Sequence, residues 1–160
     1  MFRIFASSEF TVCDDVILRL DIFTALALNY EVKITTVRGD ARIMLGNHVG
    51  MSAGCIDSAG EISTGSELLP GADLLFVDTG FHPICPFNRR HSDKINVIRL
   101  DPANIGNNVL VRIGRIILKA VTIVDEAAAV ACSVVVSGEY QQGAILAGTP
   151  ARVVGTVHSK

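Results

Sequence analysis

The chain has 160 residues, enough for one domain and little more. Lys and Arg number 14 against 16 Asp and Glu, a net charge of −2, which argues against nucleic acid or an anionic membrane as a partner held by a basic surface. Apolar residues make up 49% of the chain and mean hydropathy is +0.44, which excludes a disordered chain; only 6% are aromatic while Gly counts 14, a composition that favours a narrow, repetitive interior.

At the N-terminus, Met1 to Glu9 lacks a long apolar core segment, so no secretory signal is expected. Apolar stretches such as Ala127 to Cys132 fall far short of the roughly 18 residues of a membrane span. Cys13, Cys55, Cys85 and Cys132 are scattered with no CxxC pair, which reads as free thiols in a cytoplasmic protein.

A period of six runs along the chain. Pairs of apolar residues two apart, Leu20/Ile22, Leu26/Leu28 and Val32/Ile34, recur at six-residue steps. Ile43 and Val49 start a row that resumes, after one inserted residue, at Ile56, Ile62, Leu68 and Leu74. From residue 77 to 102 no hexad can be followed. The row then returns as Ile105, Val111, Ile117, Ile123, Ala129 and Val135, with a companion row at Ala103, Val109, Arg115, Val121, Ala127 and Ser133.

Six is neither the 3.6 period of a helix nor the 2 of an ordinary strand. It fits an all-β coil of three short strands, each six-residue unit forming one flat side and turning two alternate residues inward. Gly46, Asn47, Gly106, Asn107 and Asp125 suit the corners, where left-handed or bent backbone is needed. At about 18 residues per coil the repeat predicts roughly seven coils in one domain spanning residues 1–160. A β-sandwich has no reason to hold a hexad register over two separate stretches. Arg115 falls on an inward row, and the cost of an unpaired buried guanidinium predicts that the register slips there or the side chain escapes.

The excursion over 77–102 is the candidate functional element, because loops carry chemistry where repeats carry stability. It holds Asp78-Thr79-Gly80-Phe81-His82-Pro83-Ile84-Cys85-Pro86 and Arg89-Arg90-His91. His48 falls on a corner of the scaffold and His158 in the tail.

The block Asp78 to Ile84, then Ile105-Gly106-Asn107-Asn108-Val109, Ile116 to Ile123, and Ala147-Gly148-Thr149-Pro150-Ala151-Arg152-Val153-Val154 follow one another in an order that resembles the bacterial hexapeptide-repeat acyltransferases. The nearest branch looks like the maltose, galactoside and capsular-polysaccharide O-acetyltransferases, and the match spans about residues 37–155. The resemblance implies a left-handed parallel β-helix, a homotrimer, acetyl-CoA bound between neighbouring subunits, a carbohydrate acceptor and direct transfer that needs no metal.

It also implies that His82 is the general base. An alcohol attacks a thioester only as its proton is removed, and imidazole accepts protons near neutral pH. Asp78, four residues earlier, is expected either to orient the imidazole or the acceptor hydroxyl, or to cap a coil. By the same resemblance Ala131 and Ile113 line the pantetheine groove and Arg152 meets the nucleotide phosphates, while Lys119 is expected either to join it in a cationic rim or to be a solvated corner lysine.

The chain departs from the pattern at several positions. Val136-Ser137 replaces a Thr-Lys pair, Leu110 a Trp, and Arg112, Ile113, Val124, Val130 and Cys132 replace glycines, which narrows the implied groove. Those departures keep a non-catalytic β-helix scaffold as the alternative. A zinc hydratase of the gamma-class carbonic anhydrase type fits less well, because His48, His82 and His91 are 34 and 9 residues apart and do not match that family's ligand spacing.

Overall fold

The computed structural model describes residues 2–4, 6–18, 31–87, 89–91 and 95–158. The pairs Leu20/Ile22 and Leu26/Leu28 lie outside the described residues. The chain winds through successive triangular coils. The first contains β1 (Phe2–Arg3), β2 (Glu9–Val12) and β3 (Ile17–Leu18); the second β4 (Val32–Thr36), β5 (Arg42–Leu45) and β6 (Gly50–Met51). The third contains β7 (Gly54–Ser58), β8 (Glu61–Thr64) and β9 (Leu69–Pro70), and the fourth opens with β10 (Leu74–Val77). After the insertion come β11 (Ala103–Ile105) and β12 (Leu110–Val111), then β13 (Ile116–Ile117), β14 (Val121–Ile123) and β15 (Ala128–Ala129). The last coil is β16 (Val134–Val135), β17 (Gly138–Tyr140) and β18 (Ala144–Gly148), closed by β19 (Ala151–Thr156).

Every third strand stacks in parallel. The first face is β1-β4-β7-β10-β13-β16 and the second is β2-β5-β8-β11-β14-β17. The third face holds β3-β6 and β9-β12-β15-β18, with β6 packed against β9. The protein is thus a left-handed parallel β-helix. The described residues make six coils rather than the roughly seven that the repeat count predicts.

The hexad rows line the interior. All six residues from Ile105 to Val135 are buried, as are all six of the row from Ile43 to Leu74. The companion row is buried throughout, and Arg115 and Ser133 stay on it. Arg115 therefore neither slips nor escapes: its side chain is 0% exposed and its Nη2 donates to the Ala129 carbonyl. Ser133, above it in the stack, turns its hydroxyl to the Val130 carbonyl at 2.8 Å and leaves volume beneath. Nε and Nη1 of Arg115 have no partner among the described residues, and burial pulls the guanidinium down to about 10.

Corners between the second and third faces stack as a ladder. The left-handed residues there include Asp15, His48, Glu67, Asn108 and Glu126, and not Gly46, Gly65 and Gly106, which stand two positions before three of them. Those glycines are required by close approach instead: a Cβ on Gly65 would lie 2.7 Å from the Gly106 carbonyl carbon, and one on Gly106 would lie 2.7 Å from the Asp125 nitrogen. Polar side chains bind the amides of the adjoining coil. Asp14 N donates to Asn47 Oδ1 (3.0 Å), Asn47 N to Ser66 Oγ (3.2 Å), Ser66 N to Asn107 Oδ1 (2.9 Å) and Asn107 N to Asp125 Oδ1 (2.7 Å). The Asn107 amides, backbone first and side chain second, hold the Asp125 carboxyl below its ordinary value.

At the C-terminal end β19 turns back antiparallel on β18 and covers the edge of the third face. No helix among the described residues is long and apolar enough to cross a membrane. Because coil stacking depends on those bare corners, Gly65→Ala should cost about 2 kcal/mol of stability through overpacking against immovable backbone; the urea midpoint of the purified variant checks this, and an unchanged midpoint contradicts it.

Candidate active site

The insertion leaves the prism between the first and second faces and begins as a two-legged stem. Thr79 bridges Leu100 in antiparallel fashion, Gly80 N donates to the Arg99 carbonyl (3.2 Å) and Asp101 N to the Asp78 carbonyl (3.2 Å). Asp78 ties this stem to the coil below. Its buried carboxylate accepts from Ser58 Oγ at 2.7 Å, Ala59 N at 2.8 Å and Gly60 N at 2.8 Å. A charged acceptor facing three convergent donors is a strong local clamp.

Among the described residues no hydrogen bond joins Asp78 to the His82 imidazole. Three of the roughly four acceptor sites of Asp78 are taken by the Ser58–Gly60 turn, the coil-capping alternative, and it holds the root of the loop on which His82 stands. The signal was present in the sequence at one coil's distance, since Ser58, Ala59 and Gly60 precede Asp78 by 20, 19 and 18 residues.

His82 lies just past the stem, exposed, with its backbone N–H donated to the Gly80 carbonyl at 2.6 Å. Phe81 before it has φ 56°, a costly conformation for a bulky side chain, and Pro83 after it is buried and biases His82 toward extended backbone. The backbone that carries the imidazole is therefore constrained on both sides of His82. Among the described residues no hydrogen bond joins the imidazole to Cys85, which is exposed. His48 is engaged elsewhere, its Nδ1 3.3 Å from Asp15 Oδ2. Cys55 is no nucleophile: burial, then its hydrogen bond to Asp57, pushes the thiol up to about 12. Among the described residues no three His, Cys, Asp or Glu side chains gather as a metal site.

Of the residues expected to line the acyl-donor groove, three share one edge. Ile113 and Ala131 sit in consecutive coils at the corner between the third and first faces, where the Cys132 amide donates to the Ile113 carbonyl at 3.0 Å. Arg152 pairs with Ala147 in the tier above and is exposed, with one guanidinium N–H on the Ala151 carbonyl at 2.9 Å. Arg112 lies exposed on the same edge. Lys119 does not join them. It sits at the corner between the first and second faces, its Nζ 3.0 Å from Asp101 Oδ2, because Asp101 closes the loop stem directly beside it. Within one chain, His82 and the Ile113–Ala131–Arg152 edge occupy different corners of the prism.

The loop also builds a recess that sequence reasoning missed. Ile98 and Leu100 fold back over the corner at Val37 and Ala59, enclosing with Phe81 an apolar cavity of about 200 Å³. Arg38 and Thr79 stand at its polar edge. A larger groove of about 590 Å³, lined by Asn96, Arg99 and Asp101, adjoins it through Arg38, Ile98 and Leu100.

The fold is that of several solved acyltransferases. The chain aligns over 96% of its length with 68% of a maltose O-acetyltransferase from Clostridium difficile 630, at 18% identity and a TM-score of 0.57. It aligns over 98% with 86% of the polySia-specific acetyltransferase NeuO, at 13% identity and a TM-score of 0.63. A third likeness, over 94% of this chain and 78% of the other, is to a point mutant of the N-acyltransferase AntD from Bacillus cereus in complex with dTDP and coenzyme A (11% identity, TM-score 0.57). No protein-family model and no curated protein sequence matches the chain. At these identities the likeness establishes a shared hexapeptide-repeat β-helix, and function has to be argued from the site.

If Asp78 anchors the loop, Asp78→Ala strands three donors and should lower stability by about 3 kcal/mol. It should also speed tryptic cleavage at Arg89 and Arg90 ahead of global unfolding. Cleavage at the wild-type rate would contradict this role.

Proposed function

We propose that this chain transfers an acetyl group from acetyl-CoA to a hydroxyl of a carbohydrate, with His82 as general base, at a seam between identical subunits of a cytoplasmic homotrimer. The observation that carries this reading is the separation of two half-sites on one prism. An exposed imidazole on constrained backbone stands at one corner, and an edge bearing a small exposed Ala131 and the exposed cations Arg112 and Arg152 runs along another. Each half lacks what the other supplies, so a second copy completes the site. The third face offers cause for assembly: Ile17, Leu69 and Leu110 follow its outward row and are 66%, 59% and 37% exposed. The free cysteines favour a reducing compartment.

The chemistry needs one proton carrier. As the acceptor oxygen attacks the thioester carbonyl, the neutral imidazole of His82 takes the hydroxyl proton. The tetrahedral intermediate collapses by breaking the C–S bond, and the imidazolium returns that proton to the departing thiolate. Bonds and protons balance without a metal. Backbone N–H groups of the neighbouring corner are the natural donors to the transient oxyanion. Arg152, whose guanidinium spends one N–H on the Ala151 carbonyl, is suited to the nucleotide phosphates. The carbohydrate acceptor is supported by the fold's occurrence in a maltose and a polySia acetyltransferase.

His82→Ala should reduce acetyl-CoA-dependent thiol release by at least about 100-fold, the scale of a lost general base, while CoA binding by calorimetry and the trimeric mass stay unchanged. Turnover near wild type removes His82 from the chemistry. Absence of CoA binding in the wild-type protein itself favours the scaffold alternative.

A further inference from the structure

We propose that the cavity at the loop base is a subsite for the acetamido group of an N-acetylated sugar, making such sugars the favoured acceptors. Acetylation of the bound sugar rests on the acetyl transfer proposed above; binding of the sugar does not.

The cavity, about 200 Å³, is too apolar to favour a pyranose ring inside it. Val37, Ala59, Phe81, Ile98 and Leu100 present no polar side-chain atoms, and ring hydroxyls buried against them would lose their hydrogen bonds. A methyl group loses nothing there. Among the lining residues, Thr79 supplies a hydroxyl whose oxygen already accepts from Phe81 N at 3.1 Å, leaving its O–H to donate, and Arg38 also lines the recess, its Nη2 paired with Asp40 Oδ2 at 3.0 Å. An acetamido group has this pattern: an apolar methyl inside and a carbonyl acceptor at the rim. A 6-deoxy methyl lacks the second half.

The sugar ring then lies in the adjoining groove, where Asn96, Arg99 and Asp101 offer donors and acceptors to hydroxyls. Asp101 is held in place by Lys119 at 3.0 Å, which gives that lysine a role at the acceptor side. Phe81 forms one wall while its backbone sits at φ 56°, a conformation that positions an aromatic ring over the cavity immediately before His82. One residue therefore links the recess to the proposed base, so that a hydroxyl of a sugar anchored by its acetamido group falls within the loop's reach.

The test uses the full wild-type chain with N-acetylglucosamine, glucosamine, glucose and 6-deoxyglucose as probes. Saturation-transfer NMR without acetyl-CoA should show the strongest transfer to the acetamido methyl, and titrations should give N-acetylglucosamine at least about 10-fold higher affinity than glucose. Ala59→Leu, which fills the cavity from the scaffold, and Ile98→Phe, which fills it from the loop, should both bring that ratio near one. Thr79→Val should reduce it while leaving the methyl contact. Equal binding of N-acetylglucosamine and glucose to wild type, or a ratio preserved in both filled variants, overturns the subsite. Selective binding with no thiol release from acetyl-CoA keeps the subsite and defeats the acetyl-transfer reading; equal acetylation of both sugars does the reverse.

Discussion

Every coil of this protein has to lie flat on the one beneath it at the strand spacing of a parallel sheet, about 4.8 Å. That closeness decides where side chains can go. Two positions per side turn inward, and their neighbours in adjacent coils form stacked, mostly apolar columns, interrupted at Arg115 and Ser133. At the corners backbone nearly touches backbone, so Gly65 and Gly106 have no room for a side chain. The chain of Asn47, Ser66, Asn107 and Asp125 then supplies acceptors to amides that no strand partner reaches.

A scaffold built this way has few places for chemistry, because its faces are flat and its interior is full. Function is left to corners and to excursions from them. The insertion at 78–102 is tolerated because it leaves and re-enters between the same two faces, so β10 and β11 keep the registers of their columns. Its legs bond to each other, and Asp78 bonds the root to the preceding coil. The result is an exposed imidazole one residue from Phe81, which lines a small recess, with the Ile113–Ala131–Arg152 edge on another corner of the same prism.

Much of the architecture was legible from hexad spacing because coil geometry permits so little variation. Rows read off the sequence are the buried columns, and even Ser133 and Arg115 kept their places. The expectation for Arg115 failed because it weighed the charge without the space: a small Ser133 above and a carbonyl at Ala129 let the guanidinium lie inside. Corner glycines were located but explained by the wrong cause, since the left-handed turn is made two residues later by His48 and Asn108. The role of Asp78 depended on a partner one coil away, which a local motif does not display. Of the two readings of Lys119, donor rim or corner lysine, strand order supports the second, at the loop's corner beside Asp101. The recess was invisible because Val37, Ala59 and Ile98 belong to three different turns of the chain, and no spacing rule joins them.

In the proposed enzyme a working site takes its base from one subunit and its donor edge from the next, and subunit complementation tests this directly. Protomers carrying His82→Ala and protomers carrying Ala131→Trp, each inactive alone, are co-expressed in equal amounts and the mixed assemblies are isolated. Each mixed trimer should then restore acetyl-CoA-dependent thiol release at about one of its three seams, roughly a third of the sites. Mixed assemblies that remain as inactive as either parent would contradict a shared site.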